Sequence, residues 1–162
     1  MRVASPPSVT VSRATIADLA QVAELERQCY SDPWPASAFA ELPANPVVYF
    51  AVARQGTERS VAGYVIAWTV LDEAELANLA VEPALRRDGV GARLLDAMLE
   101  DARQHSVKRV YLEVRESNVA ARRLYASRGF SEVGRRKLYY RSPEEDALIL
   151  RREGTVPVPA VR

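Results

Sequence analysis

Residues 86–95, RRDGVGARLL, combine residue types that can bind an anion. Gly89 and Gly91 stand one residue apart where a loop is predicted to become a helix, and glycines let a ligand approach the backbone closely. Unpaired N–H groups at a helix start carry partial positive charge, which favours a bound anion. Three arginines crowd the same end: Arg86, Arg87 and Arg93. The segment fits either a phosphate-binding turn or a solvated glycine-rich loop.

Two common phosphate-binding motifs do not match this turn. A P-loop needs Gly-Lys-Ser/Thr after its spacer, and the dinucleotide fingerprint needs a third glycine where Leu94 stands. Glu113 lies about the right distance on for a ribose-binding acid. The dinucleotide motif nevertheless expects a parallel βαβ unit near the N-terminus, and this turn follows strands predicted to form an antiparallel meander. We therefore reject both motifs.

Two further side chains, Glu113 and Tyr125, have the chemistry to move protons. Glu113 lies in the apolar strand predicted over 109–115, where partial burial would make its carboxylate a stronger base. Tyr125 lies on the helix predicted next, and its phenol can act as an acid if it faces a cleft. With only a short turn between strand and helix, Glu113 lies roughly 7 Å and Tyr125 roughly 10 Å from that turn, so both could flank one cleft. The structural alternatives are a salt bridge of Glu113 with Arg115 or Arg123, and a core aromatic role for Tyr125.

The hydrophobic periodicity predicts a mixed α/β domain that would position these residues. In chain order we expect a strand over 8–13, a helix over 16–29 capped by Thr15 with Asp18, a short second helix in the proline-punctuated 31–39, three antiparallel strands within 47–82, a helix from Val90 to near Ser106, a strand over 109–115, a helix capped by Ser117 or Asn118 and stopped by Gly129, and two final strands. The order is β-α-α-β-β-β-α-β-α-β-β. We predict one domain over 1–152 and a disordered C-terminal tail over 153–162.

The composition limits the possible classes of protein. At 162 residues and 48% hydrophobic content, the chain suits one domain with a substantial core. Lys plus Arg (22) and Asp plus Glu (21) nearly cancel, which argues against nucleic-acid binding by overall charge. With one cysteine, Cys29, and one histidine, His105, no internal disulfide and no usual metal cluster is expected. The longest apolar run, 61–71, is too short to span a bilayer. We expect a metal-free, cytoplasmic protein without a membrane or nucleic-acid partner.

The glycine turn resembles a known cofactor signature. Residues 86–92 fit the Arg/Gln-x-x-Gly-x-Gly/Ala acetyl-CoA motif of the GCN5-related N-acetyltransferases (GNAT), and the preceding strand LANLAVEP fits its other half. Together with DPWPASAF, YLEVRESNVAARRLYASRGF, RRKLYY and EDALIL, the chain looks like the ribosomal-protein-alanine N-acetyltransferases of the RimI type over about residues 8–152. The resemblance implies a GNAT fold with a mixed central sheet splayed at the acetyl-CoA site.

The resemblance also implies roles for individual residues. The glycine turn would hold the pyrophosphate of coenzyme A, and a strand edge would pair with the peptide-like pantetheine arm, where one amide would hold the oxyanion. Glu113 would be the proton acceptor and Tyr125 the proton donor to the coenzyme A sulfur. The implied cofactor-binding residues are Leu79, Ala80, Val81, Arg86, Arg87, Asp88, Gly89, Val90, Gly91, Ala92 and Asn118.

The acceptor implied by the resemblance is the N-terminal alanine of a small-subunit ribosomal protein, without a covalent acyl-enzyme. An α-amine loses its proton near neutral pH at lower cost than lysine, by roughly 3 kcal/mol, which suits a lone carboxylate base. Tyr139 and Tyr140 fall where enzymes acting on protein N-termini place aromatic residues around the peptide, or they form a strand packing pair. The alternatives are a GNAT enzyme acting on lysine, a polyamine, another small amine or a broader set of N-termini, and a non-catalytic acyl-CoA-binding module.

Overall fold

The strands form one mixed sheet with helices on both faces. The computed structural model describes residues 7–57 and 59–154, and these contain seven strands and three α-helices. In chain order the elements are β1 (Val9–Arg13), α1 (Leu19–Cys29), β2 (Val48–Gln55), β3 (Gly63–Val70), β4 (Glu73–Val81), α2 (Val90–Gln104), β5 (Arg109–Arg115), α3 (Val119–Ser127), β6 (Ser131–Arg141) and β7 (Glu144–Glu153). The strand order is β1-β2-β3-β4-β5-β7-β6, and only the β4–β5 pair is parallel.

This order confirms the predicted mixed α/β fold, and the short second helix takes a tighter form than an α-helix. Within the predicted range 31–39 it is a single 3₁₀ turn, Ala36–Phe39, and a second 3₁₀ turn, Leu42–Ala44, follows beyond that range. Pro35 precedes the first turn and Pro43 lies within the second. Because proline has no backbone donor and hinders the preceding turn, the segment forms single turns rather than a continuous helix.

Apolar side chains fill both faces of the sheet. On one face α2 buries an apolar stripe at helical spacing, made of Val90, Leu94, Leu95, Met98, Leu99 and Ala102. On the other face α1 and the 3₁₀ turns pack on β2 and β3 around Phe39, Phe50 and Tyr64. Each such side chain contributes about 1.5–3 kcal/mol on burial. The two layers hold the sheet rigidly enough to position groups at its centre.

The sheet splays between β4 and β5, as the resemblance implied. The two strands pair only over 73–76 and 109–112. A bulge in β4 leaves Ala77 without a partner on β3, and beyond it β4 follows β3 to Val81 while β5 follows β7 to Arg115. A gap therefore opens between residues 78–81 and 113–115, and it exposes the free backbone edge of β4.

A buried carboxylate fixes the end of α1 beside this gap. Glu26, only 1% exposed, accepts hydrogen bonds from the Asn78 amide at 2.9 Å, from the backbone N–H of Trp34 at 3.1 Å and from the hydroxyl of Tyr64. A buried polar group left without such partners costs about 1–3 kcal/mol, so the network ties α1 firmly to β4. As a result the next turn of chain, with Tyr30, lies over the free edge of β4.

Three other expectations, on the C-terminal tail, membrane spanning and metal binding, can be compared only with the described part of the chain. Of the predicted tail over 153–162, only Glu153, at the end of β7, and Gly154 are described, and residues 155–162 lie outside the described part. Within residues 7–57 and 59–154, no helix is long and apolar enough to cross a membrane. In the same part of the chain, no three His, Cys, Asp or Glu side chains group so as to hold a metal ion.

Candidate active site

The glycine turn forms the start of α2. Gly89 is the N-cap residue, with a left-handed φ of +82° that glycine adopts without strain. The N–H of Arg93 bonds to the Gly89 carbonyl at 3.1 Å. The three preceding N–H groups, of Val90, Gly91 and Ala92, are those that a helix start leaves without an intrahelical acceptor. The glycine turn therefore starts a helix as predicted, and its role as an anion site stays a prediction.

Side chains anchor this turn from two sides. Asp88 accepts a hydrogen bond from the buried Gln55 at the end of β2, at 3.2 Å. The Arg86 guanidinium donates to the Val81 carbonyl at 3.4 Å and contacts the sulfur of Cys29 at 3.6 Å. Arg87 is exposed, with a φ of +75°. The turn therefore presents arginines and free N–H groups around one space.

Of the three residues predicted to bind pantetheine, only two direct backbone groups to the free edge of β4. The N–H and C=O of Leu79 and the C=O of Val81 face the gap, where they bond to groups outside the sheet. Ala80, which pairs with Tyr64, directs its groups toward β3, because the direction of backbone groups alternates along an antiparallel strand. Only Leu79 and Val81 thus offer backbone groups to a ligand.

Glu113 points to the open side of β5, away from α2. Its neighbours Leu112 and Val114 are buried on the opposite face, and its own side chain is 23% exposed. Its carboxylate pairs with Arg136 Nε at 2.6 Å. The salt-bridge partner is thus neither of the two arginines that the sequence suggested. Because the Arg136 side chain is 56% exposed, such a pair contributes only about 0–1 kcal/mol, and an incoming ligand can open it.

A bulge in β6 directs two aromatic rings toward this carboxylate. The register with β7 shifts between Arg136 and Tyr140, and Leu138 within the bulge has a left-handed φ of +51°. The rings of Tyr139 and Tyr140 pack edge to face at 5.2 Å. The Glu113 carboxylate lies close enough to the Tyr139 hydroxyl to influence it electrostatically. The predicted pair therefore packs on itself and also borders Glu113.

Both phenols stay protonated near neutral pH, because the charge of Glu113 and burial raise their pKa values. The negative charge of Glu113, more than burial, raises the pKa of Tyr139. Burial, with a further contribution from Glu113, raises the pKa of Tyr140 to about 12. Arg115 lies over the Tyr140 ring, 4.1 Å from its centroid, and pairs with Glu145 at 3.3 Å. Both hydroxyls can therefore donate hydrogen bonds in this cleft.

Tyr125 lies on α3, with its phenol near those of Tyr140 and Tyr30. Its ring is 6% exposed and packs edge to face on Phe130 at 5.6 Å, so the core role considered from the sequence is real. Burial, and then the neighbouring Tyr140, raise the pKa of its phenol well above the ordinary range. Tyr140 is in turn influenced by Glu113, so it lies near both residues, and a cleft shared by Glu113 and Tyr125 stays a prediction.

Asn118 serves as the cap of α3, one of the two residues proposed for that role. Its Oδ1 accepts the N–H of Ala121 at 3.2 Å, while Ser117 bonds to Glu145 instead. Gly129 has a φ of +85° just after the helix, as predicted for the stop. The cap places Asn118 at the end of β5, beside the gap.

Two other side chains, His105 and Trp34, make structural contacts. His105 follows α2 and its Nδ1 lies 2.8 Å from the Asp101 carbonyl oxygen, a structural position at the C-terminal end of the helix. Trp34 stacks on Trp68 with ring centroids 6.3 Å apart. Tyr30 and Gln55 are contacts of the site that the sequence pattern did not indicate, since neither belongs to a local motif.

Arg135 stabilises the hairpin of β6 and β7 that carries the two tyrosines. This role predicts how the stability of the protein depends on pH. Arg135 pairs with Glu116 and with Asp146, each at 2.8 Å, and lowers the pKa of both carboxyls. A carboxyl with a lowered folded-state pKa contributes stability above its unfolded-state pKa, here near 4.5 and 3.8, and that stability is lost as the pH falls through the folded-state value. Arg135→Gln should lower the melting temperature at pH 7 and flatten its decline between about pH 5 and 2.

Thermal melts of the wild type and the variant over that pH range measure both effects. The matched control is Arg151→Gln, which removes an equal charge from β7 and breaks a pair with Glu153 at 3.1 Å. The same acid dependence in both variants would contradict the role of Arg135.

Known proteins resemble this chain over most of its length. The model of the family described as acetyltransferase (GNAT) matches residues 19–130. The ribosomal protein bS18-alanine N-acetyltransferase of Escherichia coli (strain K12) is 35% identical over 143 residues, which cover 87% of this chain and 95% of the relative. The N-alpha-acetyltransferase RimI of Mycobacterium tuberculosis is 40% identical over 155 residues, with 92% and 95% covered.

Solved structures show the same architecture. The crystal structure of the ribosomal-protein-S18-alanine N-acetyltransferase from Escherichia coli superposes with a TM-score of 0.83 at 31% identity, and covers 96% of this chain and 99% of that chain. Arabidopsis thaliana NAA60 in complex with acetyl-CoA shares the fold, with a TM-score of 0.81 at 18% identity over 90% of this chain and 98% of that chain.

Proposed function

The chain belongs to the acetyltransferase (GNAT) family, and on that premise we propose that it transfers the acetyl group of acetyl-CoA to the N-terminal α-amine of a protein. The proposed acceptor is the N-terminal alanine of a small-subunit ribosomal protein, in line with the activity named for the Escherichia coli relative. The observation that carries the proposal is the gap of the sheet, where the free edge of β4 lies beside the turn that starts α2 and Glu113 lies on the facing strand β5. Tyr125 would complete the site from α3.

Acetyl-CoA would lie along the gap between β4 and β5. The free N–H groups at the start of α2 would hold the pyrophosphate, with the arginines of the turn adding positive charge. Leu79 and Val81 would pair with the pantetheine arm as a further strand pairs with a sheet edge. Asn118 would contact the cofactor from the start of α3. The thioester would then lie between Glu113 and Tyr125.

Direct transfer needs one base, one acid and one oxyanion donor. Glu113 takes a proton from the acceptor ammonium, and the neutral amine attacks the thioester carbonyl carbon. The carbonyl oxygen becomes an oxyanion that the Leu79 N–H stabilises, a contribution of about 10²–10³ in rate for one donor. When the C–S bond breaks, the thiolate takes the proton of the Tyr125 hydroxyl. The second proton of the amine leaves with solvent, and the proton held by Glu113 returns through solvent to Tyr125, so both residues regain their starting states.

The walls of the cleft fit a peptide N-terminus. Tyr139 and Tyr140 stand beside Glu113 and offer ring faces and hydroxyl donors to an extended peptide. A carboxylate without a nearby histidine suits an amine whose pKa is about 8 better than a lysine near 10.4. These features favour an α-amine over a lysine or a polyamine.

A peptide panel tests the proposal. Peptides beginning with Ala, Ser or Met, each with an internal lysine, are incubated with acetyl-CoA and analysed by intact mass and fragmentation. We expect one acetyl group on the free N-terminus, with the alanine peptide the fastest, and no label on the same peptide with a blocked N-terminus. Label on lysine alone would overturn the proposed acceptor, and cofactor binding without turnover on any amine would favour the non-catalytic module.

A further inference from the structure

The hydroxyl of Tyr30 occupies the part of the β4 edge that faces Tyr125. It donates to the Leu79 carbonyl at 3.0 Å and accepts from the Leu79 N–H at 3.3 Å. One phenol group therefore satisfies both backbone groups that Leu79 directs into the gap. Desolvation of the hydroxyl, together with Tyr125 and Glu26, raises the pKa of Tyr30 above its ordinary range, so it keeps the proton that it donates.

This contact and the proposed thioester position exclude each other. A backbone N–H carries a single hydrogen and makes one good hydrogen bond. In the proposed reaction the Leu79 N–H bonds to the carbonyl oxygen of the acetyl group. The phenol oxygen stands where that carbonyl oxygen would be, so one of the two must leave before the other binds.

The chain around Tyr30 is held at both sides of the gap. Its N–H bonds to the carbonyl of Glu26, whose side chain is buried in the network with Asn78. The next residue, Ser31, accepts a hydrogen bond at 3.0 Å from Arg115 at the end of β5. The Tyr30–Ser31 segment therefore bridges β4 and β5, and the position of its hydroxyl is set by the fold.

We propose that Tyr30 is a displaceable occupant of the acetyl position and that its hydroxyl determines how tightly this chain binds acetyl-CoA. The proposal rests on the function above. Tyr30 keeps the Leu79 peptide group paired in the free enzyme, and the thioester carbonyl replaces the phenol on binding. Tyr30 thereby opposes acetyl-CoA by the net value of two hydrogen bonds, roughly two- to tenfold in affinity for each.

Calorimetric titration of Tyr30→Phe with acetyl-CoA and with coenzyme A tests this. The variant keeps the ring and lacks the hydroxyl, so we expect acetyl-CoA to bind about tenfold more tightly than to the wild type. Coenzyme A has no acetyl carbonyl to compete for the Leu79 N–H, so its affinity should change less. The control is Tyr49→Phe on β2, where the ring lies under Arg13 away from the gap, and no change is expected there.

A second measurement follows the Leu79 amide itself. Hydrogen exchange at this amide should be faster in free Tyr30→Phe than in the free wild type, and equally slow in both once acetyl-CoA is bound. Unchanged or weaker acetyl-CoA binding by the variant would overturn the Tyr30 proposal alone. If acetyl-CoA failed to bind the wild type, the proposed function would fail with it.

Discussion

Glu113→Gln is expected to lower kcat for acetyl transfer by about 10²–10⁴-fold, the usual range for loss of a general base. Glutamine keeps the shape of the side chain and a carbonyl oxygen that accepts hydrogen bonds, but it cannot take a proton from an ammonium. The affinity for acetyl-CoA should stay nearly unchanged, because the proposed cofactor contacts come from β4 and the start of α2. Steady-state rates at saturating concentrations of both substrates, with calorimetry of coenzyme A, separate the two effects.

The pH dependence of the residual rate gives a sharper test. Without the base, only acceptor that is already neutral can react, so the rate of the variant should rise with pH up to the amine pKa near 8. The matched control is Glu73→Gln, which breaks a comparable pair with Arg109 at 3.2 Å at the far end of the β4–β5 pairing. The control should keep the wild-type kcat. A Glu113→Gln enzyme with the wild-type rate at neutral pH would remove Glu113 as the base.

The elements around the site could be predicted because their signals are local. The strand over 109–115 alternates buried and exposed side chains as its sequence alternates, and Gly129 stops α3 with the left-handed φ that its position after the helix indicated. The glycine turn begins α2 because Gly89 adopts a backbone conformation that most other residues resist. Each of these depends on a few consecutive residues.

Contacts between distant segments could not be predicted in the same way. Arg136 reaches Glu113 although β7 lies between their strands, and only the strand order with the bulge in β6 makes this possible. The division of residues 79–81 into groups facing the gap and groups facing β3 depends on the register of β3 with β4. Tyr30 meets Leu79 because Glu26 anchors α1, and no short motif contains all three residues.

The chemistry of the candidate site needed the resemblance as well as the pattern. From the sequence alone, a salt bridge of Glu113 and a core position of Tyr125 are both sound interpretations. Glu113 does form an ion pair, but with Arg136 rather than Arg115 or Arg123, and Tyr125 packs on Phe130. The structural role and the proposed catalytic role are compatible, because the ion pair is partly exposed and the Tyr125 ring can pack on Phe130 while its hydroxyl keeps its proton. The packing and ion-pair contacts of Glu113 and Tyr125 therefore do not argue against their proposed roles as base and acid.

Tyr125→Phe is expected to lower kcat by roughly 10²-fold, at the lower end of the range for a general acid, because a thiolate is a moderately good leaving group. The phenol remains protonated through neutral pH, since burial raises its pKa. Wild-type kcat should therefore show no loss from Tyr125 between about pH 7 and 9. The variant keeps the ring that packs on Phe130, so its melting temperature should change little.

Phe130→Leu separates the packing role of Tyr125 from its chemical role. It removes the edge-to-face contact and leaves the hydroxyl, so it should lower the melting temperature and keep kcat near that of the wild type. The opposite pattern is expected for Tyr125→Phe. If both variants lose stability and activity together, Tyr125 acts through the core. If Tyr125→Phe turns over at the wild-type rate, thiolate departure needs no proton from this residue, and the acid must be solvent.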